Sequence, residues 1–121
     1  MLLPPCSHAE VPAIVAAFDV CLIPYRVNDY TRALSPIKLY EYLAMGRPVV
    51  STDLPYVRRE HALVTIAANR DEFIGAVRDA LDRPPSDEQR ERWRRAAGSN
   101  TWDLQVDAIE GHVESALENR P

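Results

Sequence analysis

The stretch that most restricts the fold is Leu34 to Val50, LSPIKLYEYLAMGRPVV. Ser35 suits a helix N-cap. Pro36 suits the first helical position, where its missing N–H is no loss, and Gly46 suits the left-handed residue just past a helix end. The spacing therefore predicts a helix over Pro36 to Met45. An apolar run, RPVVST, follows directly and reads as a buried strand. Helices alternating with buried strands belong to a parallel α/β sheet, so further strands are expected on either side of this unit.

They are present. DVCLIPY, Asp19 to Tyr25, is a short run of β-formers, and ALVTIA, Ala62 to Ala67, is a third strand candidate. Ser7 with Glu10 resembles a capping box, and Val11, Ile14, Val15 and Phe18 then follow helical spacing. Arg26 to Leu34 has no period and reads as a loop, and DLPYVRREH as a loop or short helix. An amphipathic helix is expected over Arg70 to Asp82. Ser86 caps another over Asp87 to Ala97, and Trp102, Val106, Ile109, Val113 and Leu117 mark a final one. The expected fold is a partial Rossmann-like α/β domain: a parallel sheet of about three strands, flanking helices, and C-terminal helices over 86–121. Neither G-x-G-x-x-G nor G-x-x-x-x-G-K-[ST] occurs.

Length and charge narrow the function. The 121 residues amount to one domain. A net charge of −4 argues against nucleic acid or anionic lipid as a bulk partner. Two cysteines without metal spacing, no apolar run of membrane-spanning length and a poor signal-peptide pattern in MLLPPCSHAE fit a reducing cytoplasm. His8, His61 and His112 lack ligand spacing, so no metal site is expected.

The odd residue is Lys38. It stands in the first turn of its helix, where exposed N–H groups already carry partial positive charge. The amides of Ile37, Lys38 and Leu39, with the Lys38 ammonium, would suit a phosphate or diphosphate. Glu41, one turn on, could accept two hydroxyl protons from a ribose. The plainer alternative is a solvent-exposed i,i+3 pair between Lys38 and Glu41. Ser35 is first a cap, and its hydroxyl or amide could also meet phosphate. Tyr25 and Arg26 leave the first strand at its carboxyl end. Tyr25 either stacks on a base or packs on the next helix, and Arg26 could reach phosphate. Asn28 to Arg32 either contact a ligand at that edge or form a solvated loop, and Thr52 and Asp53 leave the second strand at the same sheet edge.

The segments AFDVCLIPYR, SPIKLYEYLAMGRPVVSTDLP and NTW resemble the C-terminal, donor-binding domain of GT-B glycosyltransferases of the glycosyltransferase 4-like and glucuronosyltransferase-like type. The resemblance spans about Val11 to Leu117. It implies a nucleoside-diphosphate sugar, UDP- or GDP-linked, bound as substrate rather than cofactor, with Lys38 on the diphosphate and Glu41 on the ribose. It implies transfer of a glycosyl group to an acceptor hydroxyl in polysaccharide biosynthesis, in the cytoplasm or at the inner face of the membrane. Two departures stand out. Many retaining members carry a glutamate eight residues before the position of Glu41, and here that residue is Ala33. Whole enzymes also have a first, acceptor-binding domain, so residues 1–121 read as a single, N-terminally truncated donor-binding domain without its acceptor half. No catalytic residue is assigned, and activity is expected to require an acceptor domain on a separate chain. The basic run Arg90 to Arg95 is either a solvated face with Trp93 packed inward or a patch for anionic head groups. In GT-B enzymes the last helix crosses back to the first domain. The alternatives are a non-catalytic α/β interaction module or a vestigial fragment; a receiver-like fold is disfavoured because Asp53 alone suits its acidic pocket.

Overall fold

A computed structural model describes residues 5–118. The first residues of the MLLPPCSHAE stretch, 1–4, lie outside the described residues. A 3-10 turn, His8–Glu10, leads into α1 (Val11–Ala16). There follow β1 (Cys21–Ile23), α2 (Asp29–Arg32), α3 (Lys38–Ala44), β2 (Val49–Thr52), α4 (Pro55–Arg58) and β3 (Thr65–Ala67). Three longer helices close the described chain: α5 (Arg70–Asp82), α6 (Asp87–Gly98) and α7 (Trp102–Glu118).

The strands form one parallel sheet in the order β1-β2-β3, with Leu22 opposite Val50 and Val50 opposite Thr65. Val49, Val50 and Ser51 of the central strand are all buried, as expected of a parallel strand covered on both faces. The core gathers Val15, Cys21, Ile23, Leu39, Leu43, Val49, Leu54, Val57, Val64 and Ala97. Leu39 and Leu43, one turn apart on α3, are fully buried, each contributing on the order of 1.5–3 kcal/mol through area removed from water. The outer edge of β1 has no strand partner among the described residues, and Leu22 on it is exposed.

The fold is the small parallel α/β domain expected, with local differences that bear on the site. The segment Arg26 to Leu34 is not a plain loop. Asn28 accepts a hydrogen bond from the Thr31 amide (2.9 Å), the Thr31 hydroxyl accepts from the Asn28 amide (2.9 Å), and one turn of helix forms between them. The helix expected from Pro36 starts at Lys38. Ser35 does not cap it; Ile37 is the N-cap residue and offers no side-chain oxygen. The Leu39 amide donates to the Pro36 carbonyl (3.0 Å) and the Tyr40 amide to Ile37 (3.0 Å), so the entry is a tight i→i+3 turn set by the proline. The other end is as expected. Gly46 takes φ +63°, its amide donates to Leu43 (2.9 Å), and the Arg47 amide donates to Tyr42 (3.1 Å), a Schellman closure.

Candidate functional site

The carboxyl ends of the strands and the front of α3 share one side of the sheet. Tyr25 lies two residues past β1, half-buried against the core. The Lys38 ammonium sits over its ring, 5.1 Å from the centroid. This is a cation–π contact, and it orients Lys38 toward the strand end. Its Tyr25 neighbour, chiefly, and the nearby Glu41 carboxylate hold the Lys38 pKa above the ordinary lysine value, against a smaller opposing effect of burial. No Lys38–Glu41 ion pair forms among the described residues, so the plain i,i+3 pair is absent. The amides of Ile37 and Lys38 make no hydrogen bond within the described chain, whereas the Leu39 amide is used by Pro36.

Two cavities flank this point. One, of about 350 Å³, lies at the ends of all three strands, lined by Tyr25, Thr52, Asp53, Asn69 and Phe73 among others. The Thr52 hydroxyl donates to the Tyr25 carbonyl (2.8 Å), tying β2 to the chain leaving β1. Asp53 is gripped by Arg58 through both carboxylate oxygens (Nη2–Oδ2 2.6 Å), which holds its carboxyl below the usual aspartate range. Asp53 is therefore already paired within the chain.

The second cavity, of about 470 Å³, lies along α3, and Tyr25 is not among its lining residues. Ser35, Ile37 and Glu41 line it, with His8, Tyr40 and Tyr56, and the start of α7 closes it with Trp102 and Gln105. The Tyr40 hydroxyl donates to Glu60 (3.1 Å) and meets the Tyr56 hydroxyl at 3.2 Å; burial, then Tyr56, push the Tyr40 pKa well up, so it stays a neutral hydrogen-bonding group. His8 Nε2 lies 3.8 Å from Glu41 Oε1.

The candidate residues thus divide. Ser35, Ile37 and Glu41 share the larger cavity. Tyr25 borders the smaller, with Lys38 over its ring between helix and strand. Arg26 is exposed, and Thr31 is buried with its hydroxyl donating to the Arg26 carbonyl (2.7 Å), a structural role. Trp93 packs on the core, and Arg90 donates to the Gly46 carbonyl (3.2 Å), so part of the basic run of α6 is used internally. Among the described residues no group of three or more His, Cys, Asp or Glu is arranged to hold a metal, and no helix is long and apolar enough to cross a membrane. Spacing along α3 pointed to Lys38 and Glu41. It gave no sign of His8, Tyr56 or Trp102, which arrive from elements far away in sequence; the NTW segment was the one local signal near Trp102.

Comparison with known proteins relates the chain to a family and to a curated relative. Residues 3–83 match the family model described as "Glycosyl transferases group 1". The chain is 30% identical over 110 residues to "Putative teichuronic acid biosynthesis glycosyltransferase TuaH" of Bacillus subtilis (strain 168), a match covering 81% of this chain and 26% of that protein. The chain therefore spans about a quarter of the length of the curated relative it matches. No solved structure matches it.

Proposed function

The chain belongs to the group 1 glycosyl transferases, and from that premise we propose that it is the donor-binding part of such an enzyme, taking a nucleoside-diphosphate sugar. The observation that carries this reading is the placement of Lys38 over Tyr25 at the strand ends, with Glu41 one turn further opening into a cavity of ligand size. Lys38 meets the diphosphate as a point charge, and the unengaged Ile37 and Lys38 amides add donors. Because α3 is only seven residues long, the side chain rather than the helix supplies most of the positive field. Glu41 accepts from ribose hydroxyls.

In the complete reaction the bond between the sugar carbon and the diphosphate oxygen breaks, and the diphosphate keeps the electron pair. The acceptor hydroxyl forms the new bond and loses its proton. Lys38 stabilises charge as it develops on the leaving group, which is electrostatic catalysis. The acceptor site and the base that takes the proton belong to an acceptor domain on another chain or segment. The product class is a polysaccharide, in keeping with the teichuronic acid biosynthesis in which the relative is named. The site of action is the cytoplasm or the inner face of the membrane.

Titration of UDP, GDP and ADP into the purified chain, by calorimetry or NMR, tests this. At least one nucleotide should bind saturably. Lys38→Ala should weaken it roughly 10- to 100-fold, the usual range for losing a charged hydrogen-bond partner. Glu41→Ala should weaken nucleotides but leave inorganic pyrophosphate unaffected. Absence of binding by every nucleotide at millimolar concentration would refute the reading. It would favour a second one, a non-catalytic module, which α7 supports because none of its residues is buried.

A further inference from the structure

We propose that a third cavity, at the amino ends of the strands, binds a small phosphate, either the free ion or a monoester, held by Arg47 and Arg90 and selected by Asp19. The cavity measures about 290 Å³, with Leu81, Pro84 and Pro85 as its apolar walls. Asp19 stands two residues before β1 and Arg47 two residues before β2, so both lie at the edge of the sheet opposite the one that Tyr25 leaves. Arg90 reaches it from α6. The cavity shares no lining residue with the two described above, so it is a place distinct from the Lys38 site.

The two arginines are unlike their neighbours. Arg58 grips Asp53, Arg83 pairs with Asp79, and Arg94 approaches Glu91. Arg47 and Arg90 are half-buried, and among the described residues neither forms an ion pair. Each donates to one backbone carbonyl, Arg47 through Nη2 to Ala16 and Arg90 through Nη1 to Gly46 (3.2 Å). A guanidinium carries five N–H donors, so most of theirs remain. Arg47 Nε is buried with no hydrogen-bond partner among the described residues. Two partly desolvated cations on one cavity repel each other, and an oxyanion between them turns that repulsion into attraction. The planar fork of arginine also matches the spacing of phosphate oxygens.

Asp19 supplies the selectivity. Its exposed carboxylate lines the same cavity and makes no hydrogen bond or ion pair among the described residues. An ionised carboxylate only accepts hydrogen bonds. It therefore repels an oxyanion without a proton, such as sulfate, and accepts from one that keeps a hydroxyl. A phosphate monoester, with a second pKa of about 6, keeps that proton on part of its molecules near neutrality. Two cations and one acceptor together complement a phosphate that still holds one proton.

The Lys38 site, as proposed above, also attracts phosphate, so the titrations use Lys38→Ala. At about pH 6 and constant ionic strength, inorganic phosphate and glycerol phosphate should bind this variant saturably by calorimetry, and sulfate at least about 5-fold more weakly. Adding Arg47→Gln or Arg90→Gln should weaken phosphate about 10- to 100-fold, the range for losing a charged hydrogen-bond partner. Asp19→Asn removes a group with no partner in the chain and should bring sulfate up toward phosphate. The arginine changes also free the Ala16 and Gly46 carbonyls, so a second measurement leaves these side chains in place. In amide NMR of the parent chain, phosphate should move the resonances of Asp19, Leu81 and Arg90. Tighter binding of glycerol phosphate than of phosphate would assign the site to an ester, and equal binding to the free ion. The proposal is overturned if Lys38→Ala binds neither at millimolar concentration, if sulfate binds as well as phosphate, or if the amide shifts are confined to Ile37, Lys38 and Leu39. Each of these results leaves the donor reading standing, and failure of the nucleotide titrations leaves this site standing.

Discussion

Lys38 at the front of α3 faces an aromatic ring, not a carboxylate, and this sets its behaviour with pH. The interaction with Tyr25 favours the charged form, so the folded pKa lies above the ordinary 10.5. The sign follows: the charge is complete below 10.5 and is lost only as pH rises through the higher folded value. Nucleotide affinity measured by calorimetry should therefore show no decline attributable to Lys38 between about pH 7 and about pH 9. Cys21 behaves oppositely in chemical terms. Burial pushes its thiol up from 9.0 to about 11, with Arg47 opposing weakly. It stays neutral and enclosed while Cys6 is exposed. A disulfide reagent at about pH 8 should titrate one thiol quickly in the native chain and the second only on unfolding. The raised Cys21 value also means stability that is present below pH 9.0 and lost as pH climbs through about 11. At this scale Lys38 and Glu41 were legible because helical spacing is local. His8 and Tyr56 were not, because only the folded chain brings them to the cavity that Glu41 lines.

The elements follow their punctuation closely where that punctuation is glycine or a capping side chain. Asn69 caps α5 by accepting from the Glu72 amide (3.0 Å), and Ser86 caps α6 by accepting from Gln89 (3.2 Å). At α3 the start differed from expectation because Pro36 imposed a tight turn, while Gly46 ended the helix where expected. Gly46 carries a double constraint. It adopts a left-handed backbone, and a Cβ there would stand 3.2 Å from Arg90 Cβ and from an Arg94 nitrogen. Gly46→Ala should cost about 1–2 kcal/mol from backbone conformation alone, read as a lower midpoint in urea unfolding. The turn of helix at Asn28–Arg32 escaped the sequence reading because one turn shows no periodicity; its sign was the Asn28/Thr31 pair, which brackets it reciprocally.

Across the whole molecule, a small parallel sheet could be anticipated from three apolar runs alternating with helices, but not its strand order or how unequally the helices are covered. α3 packs into the core and lies most extensively against α6, whereas α7 has no buried residue, and its stripe of Val106, Ile109, Val113 and Leu117 stays exposed. Its pattern predicted an apolar face; what covers that face is not a property of the pattern. Ending the chain after Thr101 should consequently change the thermal unfolding free energy by less than about 1 kcal/mol, because no described residue beyond it is buried. The same truncation at Ser86, which takes α6 with it, should abolish cooperative unfolding. The link between α3 and α6 has a consequence for biosynthesis. Both ends of the crossover that carries the lysine, β1 and β2, are made by residue 52, yet the helix between them leans on Ala97 and on an arginine 44 positions downstream of Gly46. A ribosome would deliver Lys38 early and leave it unanchored until the sixth helix emerged, so nascent chains stalled before that point should be protease-sensitive at α3.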